Sequence, residues 1–374
     1  MMSKKPVVIY GASGYTGRLV AEYLREYQLP FIAAGRNPEA IQAAMDKVPG
    51  IETAEYEVRK VDHSLESLVE LFKGAKVICN TVGPFARFGT VTVQAALEAG
   101  CHYIDTTGEQ EWMLDMRDEF GAAYAEKGLL LAPSTAYMHA LGNIAAEFCL
   151  DEPGIDTLDA ACIPTGVPTV GSIRTVMDLV RNKQHWLENG QLVELEDPMA
   201  MRSEVVVPGM NSTVLALPWG GGSLPLWYAE DARVRDCKSI TGFTNRPLME
   251  GVVQIANHYH ENLKDLPNDQ QEAALNALAD DVTPGMPPRE NRNIHRTVDI
   301  CYGAGNNKQV KCSIIGNSAY LQTGLVQGYV AAQLVRGRPK AVGFQSPCAA
   351  VGHRELFAAL QSYGFVTMKL EVIA

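Results

Sequence analysis

The fold of the amino-terminal part is decided by residues 6–17, which read PVVIYGASGYTG. Residues 6–10 form a short apolar run, rich in β-branched side chains, that stops at a glycine. Such a run predicts a buried parallel strand. Residues 18–27 then place apolar side chains at helical spacing, which predicts a helix. The glycines therefore lie between a strand and a helix.

A glycine-rich turn in that position is typical of a dinucleotide-binding site. Gly11 allows the tight turn, Gly14 lets the backbone approach a pyrophosphate, and Gly17 lets the helix pack closely. The helix N-terminus offers N–H groups to the phosphates. The spacing is GxxGxxG, a variant frequent among NADP-binding folds. The residues predicted to contact the cofactor here are Gly11, Ser13, Gly14, Tyr15, Thr16 and Gly17.

The end of the second predicted strand indicates which dinucleotide binds. Residues 31–37 read FIAAGRN, so Arg36 stands where an NAD-binding protein usually carries Asp or Glu for the ribose 2′-hydroxyl. A guanidinium pairs with the 2′-phosphate of NADP and stacks on adenine. The alternative is an exposed arginine at a strand end. We therefore predict NADP, with Asn37 as a further contact.

Strands and helices continue to alternate up to residue 132. The predicted strands cover residues 57–61, 75–82, 102–106 and 129–132, with helices at 38–47 and 90–99. This alternation predicts an α/β fold with a doubly wound parallel sheet of the Rossmann type. Asp62 ends the third strand and either contacts adenine or caps the next helix. Asn80, Val82 and Gly83 end the fourth strand and are predicted to line the nicotinamide side.

Two side chains after the sixth strand are candidates for the chemistry. Hydride transfer needs a proton donor that reaches the atom becoming negative. Tyr137 and His139 follow that strand at the carboxyl edge of the sheet, where ligands bind in open α/β folds. The alternative is a core tyrosine and a histidine that starts a helix. Asp105 and Glu109 are further candidates, although Asp105 also suits a helix cap.

The pattern changes beyond residue 140. Short strands are predicted at 159–163, 205–207, 213–217, 239–243, 297–302 and 309–315, with a helix at 171–181. The last two strands flank a glycine- and asparagine-rich turn and predict a hairpin. This predicts a second, α+β domain of mostly antiparallel sheet, which often also carries a homodimer contact. Residues 218–223, PWGGGS, are either a lid loop or a plain connection.

Composition argues against several classes of function. The net charge of −11 over 374 residues disfavours nucleic acid as a partner. The eight cysteines form no CxxC or CxxH pair, so no metal site is predicted, and they indicate reduced thiols of the cytoplasm. His258 and His260 would point to different faces of a helix. With no run of about 18 apolar residues, no transmembrane segment is predicted.

The motifs quoted above resemble those of the saccharopine dehydrogenase-like oxidoreductases, and in particular of the trans-acting enoyl reductases. The resemblance rests on GASGYTGR at 11–18, AGR at 34–36, NTVGPF at 80–85 and AGCHYIDTTGE at 99–109. Residues 342–352 are similar to the family's closing segment, which returns to the Rossmann domain. We therefore expect an NADP-binding domain at 1–139, a substrate and dimerisation domain at 140–319, and a returning segment at 320–374.

The resemblance implies an NADP(H)-dependent oxidoreductase that transfers a hydride to an activated, enoyl-type C=C of a small or carrier-bound acyl substrate. The first alternative is C–N chemistry of the saccharopine type. It calls for several arginines that grip carboxylates, and Arg174, Arg202 and Arg246 are the candidates. The second alternative is a non-catalytic NADP-binding protein, because a glycine fingerprint without an evident acid–base set permits it.

Overall fold

The structure is a computed structural model that describes residues 5–166, 168–218, 222–282 and 288–373. The chain forms two compact units. The first contains the residues up to Thr107 together with Trp112–Ala140 and Tyr320–Phe365. The second contains Gly108–Glu111, Leu141–Ala319 and the residues from Val366 onward.

The secondary structure follows the chain in this order. The strands are β1 Val7–Tyr10, β2 Phe31–Gly35, β3 Tyr56–Lys60, β4 Val77–Asn80, β5 His102–Asp105, β6 Leu130–Ala132, β7 Ile155–Pro164, β8 His185–Glu188, β9 Gln191–Glu194, β10 Ser203–Val206, β11 Thr213–Ala216, β12 Asp236–Thr241, β13 Arg296–Gly305, β14 Lys308–Asn317, β15 Gly343–Phe344 and β16 Val366–Ile373. The α-helices are α1 Tyr15–Glu26, α2 Pro38–Met45, α3 Leu65–Phe72, α4 Phe85–Ala99, α5 Gln110–Glu126, α6 Tyr137–Leu150, α7 Val170–Leu179, α8 Leu224–Tyr228, α9 Arg246–His258, α10 Asn268–Val282, α11 Ala319–Arg336, α12 Pro347–Val351 and α13 His353–Ser362.

The first unit is built on a seven-stranded parallel sheet. Its strand order is β15-β6-β5-β4-β1-β2-β3. The six strands of the alternating region stand in the Rossmann order 3-2-1-4-5-6. Every residue of β1, β2 and β4 is buried, as expected for strands covered on both faces. The predicted doubly wound fold is therefore confirmed, and β15 extends the sheet beyond β6.

Helix α11 packs closely on α1 within this unit. A Cβ atom at Gly324 would lie 2.8 Å from Cβ of Leu19, and one at Gly328 would lie 2.7 Å from Cβ of Tyr23. Separations below 3 Å exclude a side chain, so the two glycines let the helix backbones approach each other. This contact holds α11 against the first helix of the glycine motif.

The second unit carries a seven-stranded mixed sheet in the order β16-β14-β13-β7-β12-β8-β9. The pair β7–β12 is parallel and the other pairs are antiparallel, which confirms the mostly antiparallel sheet. The predicted hairpin is present as β13–β14, but its strands run to Gly305 and Lys308 and only two residues form the turn. The separate β10–β11 ribbon pairs Ser203 with Ala216.

Several elements differ from the sequence prediction. Strand β16 was not predicted, because residues 320–374 were assigned together to a segment returning to the Rossmann domain. It pairs antiparallel with β14 in the second unit. Its alternation of Val366, Met368, Leu370 and Val372 with polar residues is the signal of a half-buried strand. The loop at 218–223 falls partly on 219–221, outside the described residues.

Helix α4 begins at Phe85, five residues before its predicted start. Gly89 weakens the helical pattern there, yet it is required by packing. A Cβ atom at Gly89 would lie 2.4 Å from the ring of Trp112. Tertiary packing therefore overrides the low helix propensity of glycine.

Candidate functional site

The glycine turn is tied to the end of β4. Gly11 has a positive φ of 94°, and a Cβ atom there would lie 2.7 Å from Oγ1 of Thr81 and 2.9 Å from Cγ2 of Val82. Thr81 Oγ1 donates to the carbonyl oxygens of Tyr10 and Gly11, each at 3.1 Å. Gly11 is therefore required by backbone conformation and by close approach. Thr81 was not predicted, because a hydroxyl that bonds across the sheet has no local sequence signal.

The other two glycines keep the start of α1 open. A Cβ atom at Gly17 would lie 2.6 Å from the carbonyl oxygen of Gly11, so any larger residue would push the helix from the turn. Gly14 is the N-cap of α1 and supplies no side-chain cap. The first turn of α1 therefore presents backbone N–H groups without a capping side chain, as a phosphate-binding helix start does.

Three further residues of this turn were predicted to contact the cofactor. Ser13 is exposed and Thr16 is partly buried. The Tyr15 side chain is buried and packs edge-on against Tyr320, with ring centroids 5.3 Å apart. Only the backbone of Tyr15 is thus placed to meet a phosphate, and its ring belongs to the core.

Arg36 follows β2 and is exposed. Its guanidinium makes no hydrogen bond or ion pair with the residues that the structure describes. Asn37 Oδ1 accepts the N–H of Ala40 at 2.9 Å and caps α2, and its cofactor contact stays a prediction. A free cation at this strand end is the group that a 2′-phosphate requires, so the residues present fit NADP.

Asp62 lies at the corresponding end of β3. It is exposed and lines a cavity of about 620 Å³ together with Val61 and Arg59. The capping alternative is wrong, because Ser64 Oγ accepts the N–H of Ser67 at 3.3 Å and caps α3 instead. The adenine contact of Asp62 stays a prediction.

A pair of aromatic residues beside Arg36 was not predicted. The phenol oxygen of Tyr10 lies 2.9 Å from Nδ1 of His63, and the two rings are stacked with an interplanar angle of 2°. Burial raises the pKa of Tyr10 to about 12. Burial, and then the charge of Arg36, lowers the pKa of His63 below its ordinary value. The ends of β1, β2 and β3 therefore bring together Tyr10, Arg36 and His63.

A buried polar network holds the carboxyl ends of β4 and β5. Asn80 Nδ2 donates to the Tyr103 phenol at 2.9 Å, and this phenol donates to Asp105 Oδ2 at 2.9 Å. Asn80 Oδ1 accepts the N–H of Val82 at 2.9 Å. The Asn80 side chain is therefore held by two hydrogen bonds within the protein, and its cofactor contact stays a prediction. Gly83 is exposed beside it.

The network extends to the loop after β6 and to α11. Asp105 Oδ1 accepts the N–H groups of Thr107 at 3.0 Å and Ser134 at 2.8 Å. Gln327 Nε2 donates to the carbonyl oxygens of Asp105 and Thr135, each at 2.7 Å. Asp105 thus acts as an acceptor for three donors in this network, and its alternative role as a proton donor stays a prediction.

The two candidate catalytic residues begin α6. The Tyr137 side chain is 1% exposed, and its backbone N–H donates to Thr323 Oγ1 at 3.1 Å. His139 is partly buried, and burial lowers its pKa to about 4. The imidazole is therefore neutral at physiological pH. Glu109, the remaining candidate, is buried in the second unit.

No group of three His, Cys, Asp or Glu side chains suited to a metal ion is found among the residues with described positions. His258 ends α9, where its Nδ1 lies 3.2 Å from Nδ2 of Asn262. All eight cysteines are buried, and none of them forms a disulfide. Across the described parts of the chain, no helix is long and apolar enough to cross a membrane.

Two family models match the chain. Residues 7–125 match the saccharopine dehydrogenase NADP binding domain, and residues 140–373 match a family of unknown function, DUF5938. The first match covers the glycine turn, Arg36 and the carboxyl ends of β4 and β5. NADP as the cofactor is therefore confirmed.

The chain is similar to proteins of known name over part of its length. It is 30% identical over 155 residues to the lipid droplet localized protein of Caenorhabditis elegans, covering 39% of this chain and 36% of that protein. It is 30% identical over 209 residues to the trans-acting enoyl reductase of Mycobacterium ulcerans, covering 53% of this chain and 49% of that protein. The chain thus spans about a third to a half of the length of these relatives.

The fold as a whole is similar to that of a solved saccharopine dehydrogenase. The apo enzyme (L-Glu forming) from Saccharomyces cerevisiae superposes with a TM-score of 0.62 at 14% identity, covering 99% of this chain and 100% of that one. The predicted resemblance to the saccharopine dehydrogenase-like family is confirmed. The chain therefore belongs to the family of unknown function DUF5938 and carries, over residues 7–125, a saccharopine dehydrogenase NADP binding domain.

Proposed function

We propose that the protein is an NADPH-dependent reductase of an activated, enoyl-type C=C in a small or carrier-bound acyl substrate. The observation that carries the proposal is the exposed Arg36 guanidinium, which has no partner among the described residues and lies beside an uncapped helix start. Similarity to a trans-acting enoyl reductase supports the choice of C=C chemistry.

The residues proposed to hold the cofactor divide by the part they bind. The first turn of α1, with Gly11, Gly14 and Gly17, would bind the pyrophosphate through backbone N–H groups. Arg36 would pair with the 2′-phosphate. Val82 and Gly83 would line the nicotinamide side. When bound, NADPH supplies the hydride.

The second requirement is a proton for the carbon next to the acyl carbonyl. We propose Tyr137 as the donor, with His139 beside it on the first turn of α6. A phenol retains its proton at neutral pH and can therefore donate it. His139 is not a cationic acid at that pH, because its lowered pKa keeps the imidazole neutral. The Tyr137 side chain is 1% exposed, so a substrate would reach its phenol only after neighbouring side chains move.

The ion pairs of the second unit favour this chemistry over the C–N alternative. Arg174 binds Asp280 at 2.9 Å, and Arg246 binds both Glu204 and Glu250. Two of the three arginines predicted to grip substrate carboxylates therefore already have carboxylate partners. Arg202 remains exposed. A substrate with several carboxylates, as in saccharopine chemistry, would have to displace these partners.

The test is NADPH consumption with a 2-enoyl thioester of coenzyme A, compared with saccharopine and NADP in the opposite direction. We expect oxidation of NADPH with the enoyl thioester. Tyr137→Phe should lower kcat by about 100-fold or more, the range of general acid catalysis. Tyr302→Phe, which changes an exposed tyrosine of β13, is the matched control. Tight NADPH binding without turnover of either substrate would favour the non-catalytic alternative.

We also propose the cytoplasm as the compartment, supported by eight buried cysteines that form no disulfide. A homodimer and a carrier-bound substrate belong to the same proposal. Sedimentation of the purified protein tests the dimer, and fractionation of cells tests the compartment. Recovery with lipid droplets, as the name of the Caenorhabditis elegans relative suggests for that protein, would contradict the cytoplasmic assignment.

A further inference from the structure

His63 is held in a fixed orientation at the end of the first unit's sheet where Arg36 lies. Its ring stacks on Tyr10 of β1 and meets the ring of Phe88 of α4 edge-on, with centroids 5.3 Å apart and an interplanar angle of 89°. Residues of β1 and α4 therefore contact the imidazole ring from two directions. The proposed chemistry gives His63 no catalytic role, so its fixed orientation points to another function.

The contact with Tyr10 determines which nitrogen faces outward. The pKa of Tyr10, raised to about 12, keeps its phenol protonated, so the phenol can donate to His63 Nδ1 at 2.9 Å. When the phenol donates in this way, the neutral ring carries its proton on Nε2. Nε2 makes no hydrogen bond to the described residues. In that tautomer His63 has an N–H donor at Nε2 that is available to a ligand.

The charges around His63 show what that partner would be. Arg36, at the end of β2, acts on both His63 and Tyr10 and disfavours a positive charge on the imidazole. From α4, Arg87 lies over the ring of Phe88 at 5.1 Å and adds a second cation to the surroundings. Asp62 precedes His63 in the chain and is exposed. An anion bound by Arg36 would cancel the repulsion that Arg36 exerts on His63.

We propose that His63 is a second recognition residue for the adenosine 2′-phosphate of NADP, held by Tyr10 and acting beside Arg36. The proposal rests on the NADP site of the proposed function, and it deepens that site by naming a residue that no sequence motif indicates. As a neutral donor His63 would bond a phosphate oxygen, and as an imidazolium it would also neutralise charge. Discrimination between NADP and NAD would then depend on pH.

The sign of this dependence follows from linkage. The pKa of free His63 lies below 6.5, and an adjacent phosphate dianion raises it. The complex then holds more protons than the free protein, so affinity for the phosphate increases as pH falls. A pKa that is higher by about one in the complex corresponds to an affinity gain of about tenfold. A ligand without the 2′-phosphate has no such dependence.

The experiment is calorimetric titration of the full chain with 2′,5′-ADP, and with 5′-AMP as the ligand lacking the phosphate, at pH 8.0 and 6.2. The native protein should bind 2′,5′-ADP about 3- to 10-fold more tightly at pH 6.2, with proton uptake. His63→Gln keeps a donor but cannot charge, and it should lose this gain. His260→Gln, at an exposed histidine of the second unit, should behave as the native chain. The phosphate's own titration is common to all three proteins.

A second variant protects the test against a folding defect in His63→Gln. Tyr10→Phe keeps the ring stack but removes the bond to Nδ1, and it should weaken 2′,5′-ADP binding about threefold while leaving 5′-AMP unchanged. Equal pH ratios in the native protein and His63→Gln would overturn the proposal while leaving the NADP site intact. Absence of 2′,5′-ADP binding to the native chain would overturn both.

Discussion

Substitution of Asp105 tests whether the carboxyl edge of the first unit's sheet is a structural network. Asp105 accepts three hydrogen bonds, from the Tyr103 phenol and from the N–H groups of Thr107 and Ser134, at 2.8–3.0 Å. In Asp105→Ala all three buried donors lose their acceptor. Each orphaned buried donor costs roughly 1–3 kcal/mol, so the free energy of unfolding should fall by at least about 3 kcal/mol.

The isosteric Asp105→Asn change provides the graded comparison. An amide oxygen at the Oδ1 position keeps both backbone donors, and only the bond from Tyr103 is lost, since Asn80 already donates to that phenol. The expected cost is about 1–2 kcal/mol. Urea unfolding of both variants, with the exposed Asp118→Asn as control, measures the difference. If Asp105→Ala and Asp105→Asn both lowered the free energy of unfolding by less than about 0.5 kcal/mol, the reasoning would be refuted, because substitutions of surface carboxylates have effects of that size.

Three further outcomes are expected. Arg36→Asp should weaken NADPH binding by about 10- to 100-fold, because a hydrogen bond to a charged group contributes roughly 1.5–3 kcal/mol, and NADH binding should not change. Equal losses of NADPH and NADH affinity would contradict the 2′-phosphate assignment. Gly17→Ala should abolish NADPH binding, because its Cβ would lie 2.6 Å from the Gly11 carbonyl oxygen; Gly251→Ala, where a Cβ meets nothing within 4 Å, should leave binding unchanged. Burial lowers the pKa values of His102 and His139 to about 4, so the unfolded chain takes up protons before the folded chain does, and the free energy of unfolding should fall as pH decreases from 6.5 towards 4. A free energy of unfolding that stays constant over this pH range, measured by urea unfolding, would contradict the burial of these two rings in the neutral form.

The parts of the fold that follow local chemistry were predictable. In the first unit, short apolar runs predict the strands, helical spacing of apolar residues predicts the helices, and glycines between a strand and a helix predict the turn. Arg36 is recognised by its position at the end of the second strand. Strand β16 shows the limit, because its pairing with β14 joins residues 50 to 64 positions apart, and the local pattern does not indicate which strand is the partner. Helix α4 shows a second limit, since Trp112 fills the space that makes Gly89 acceptable.

The functional residues divide in the same way. The sequence places Asn37 and Asp62 correctly at strand ends, but it does not show which nearby side chain caps the following helix. The cap is the side chain whose oxygen accepts a free backbone N–H of the first helical turn. For α2 this is Asn37, and for α3 it is Ser64 rather than Asp62. His63 was missed because its role depends on Tyr10 and Phe88, which come from two other elements.

The network at the carboxyl edge also narrows the choice of proton donor. Asn80, Tyr103 and Asp105 bond one another, and Gln327 fixes the backbone on either side of them. Groups held in this way are poor acids, because giving up or accepting a proton would break bonds on which three strand ends depend. The proton donor that we propose, Tyr137, lies outside this network on the first turn of α6. If Asp105 were the donor instead, Asp105→Asn would abolish turnover while unfolding stayed unchanged; the structural role predicts that stability falls and that turnover falls only with it.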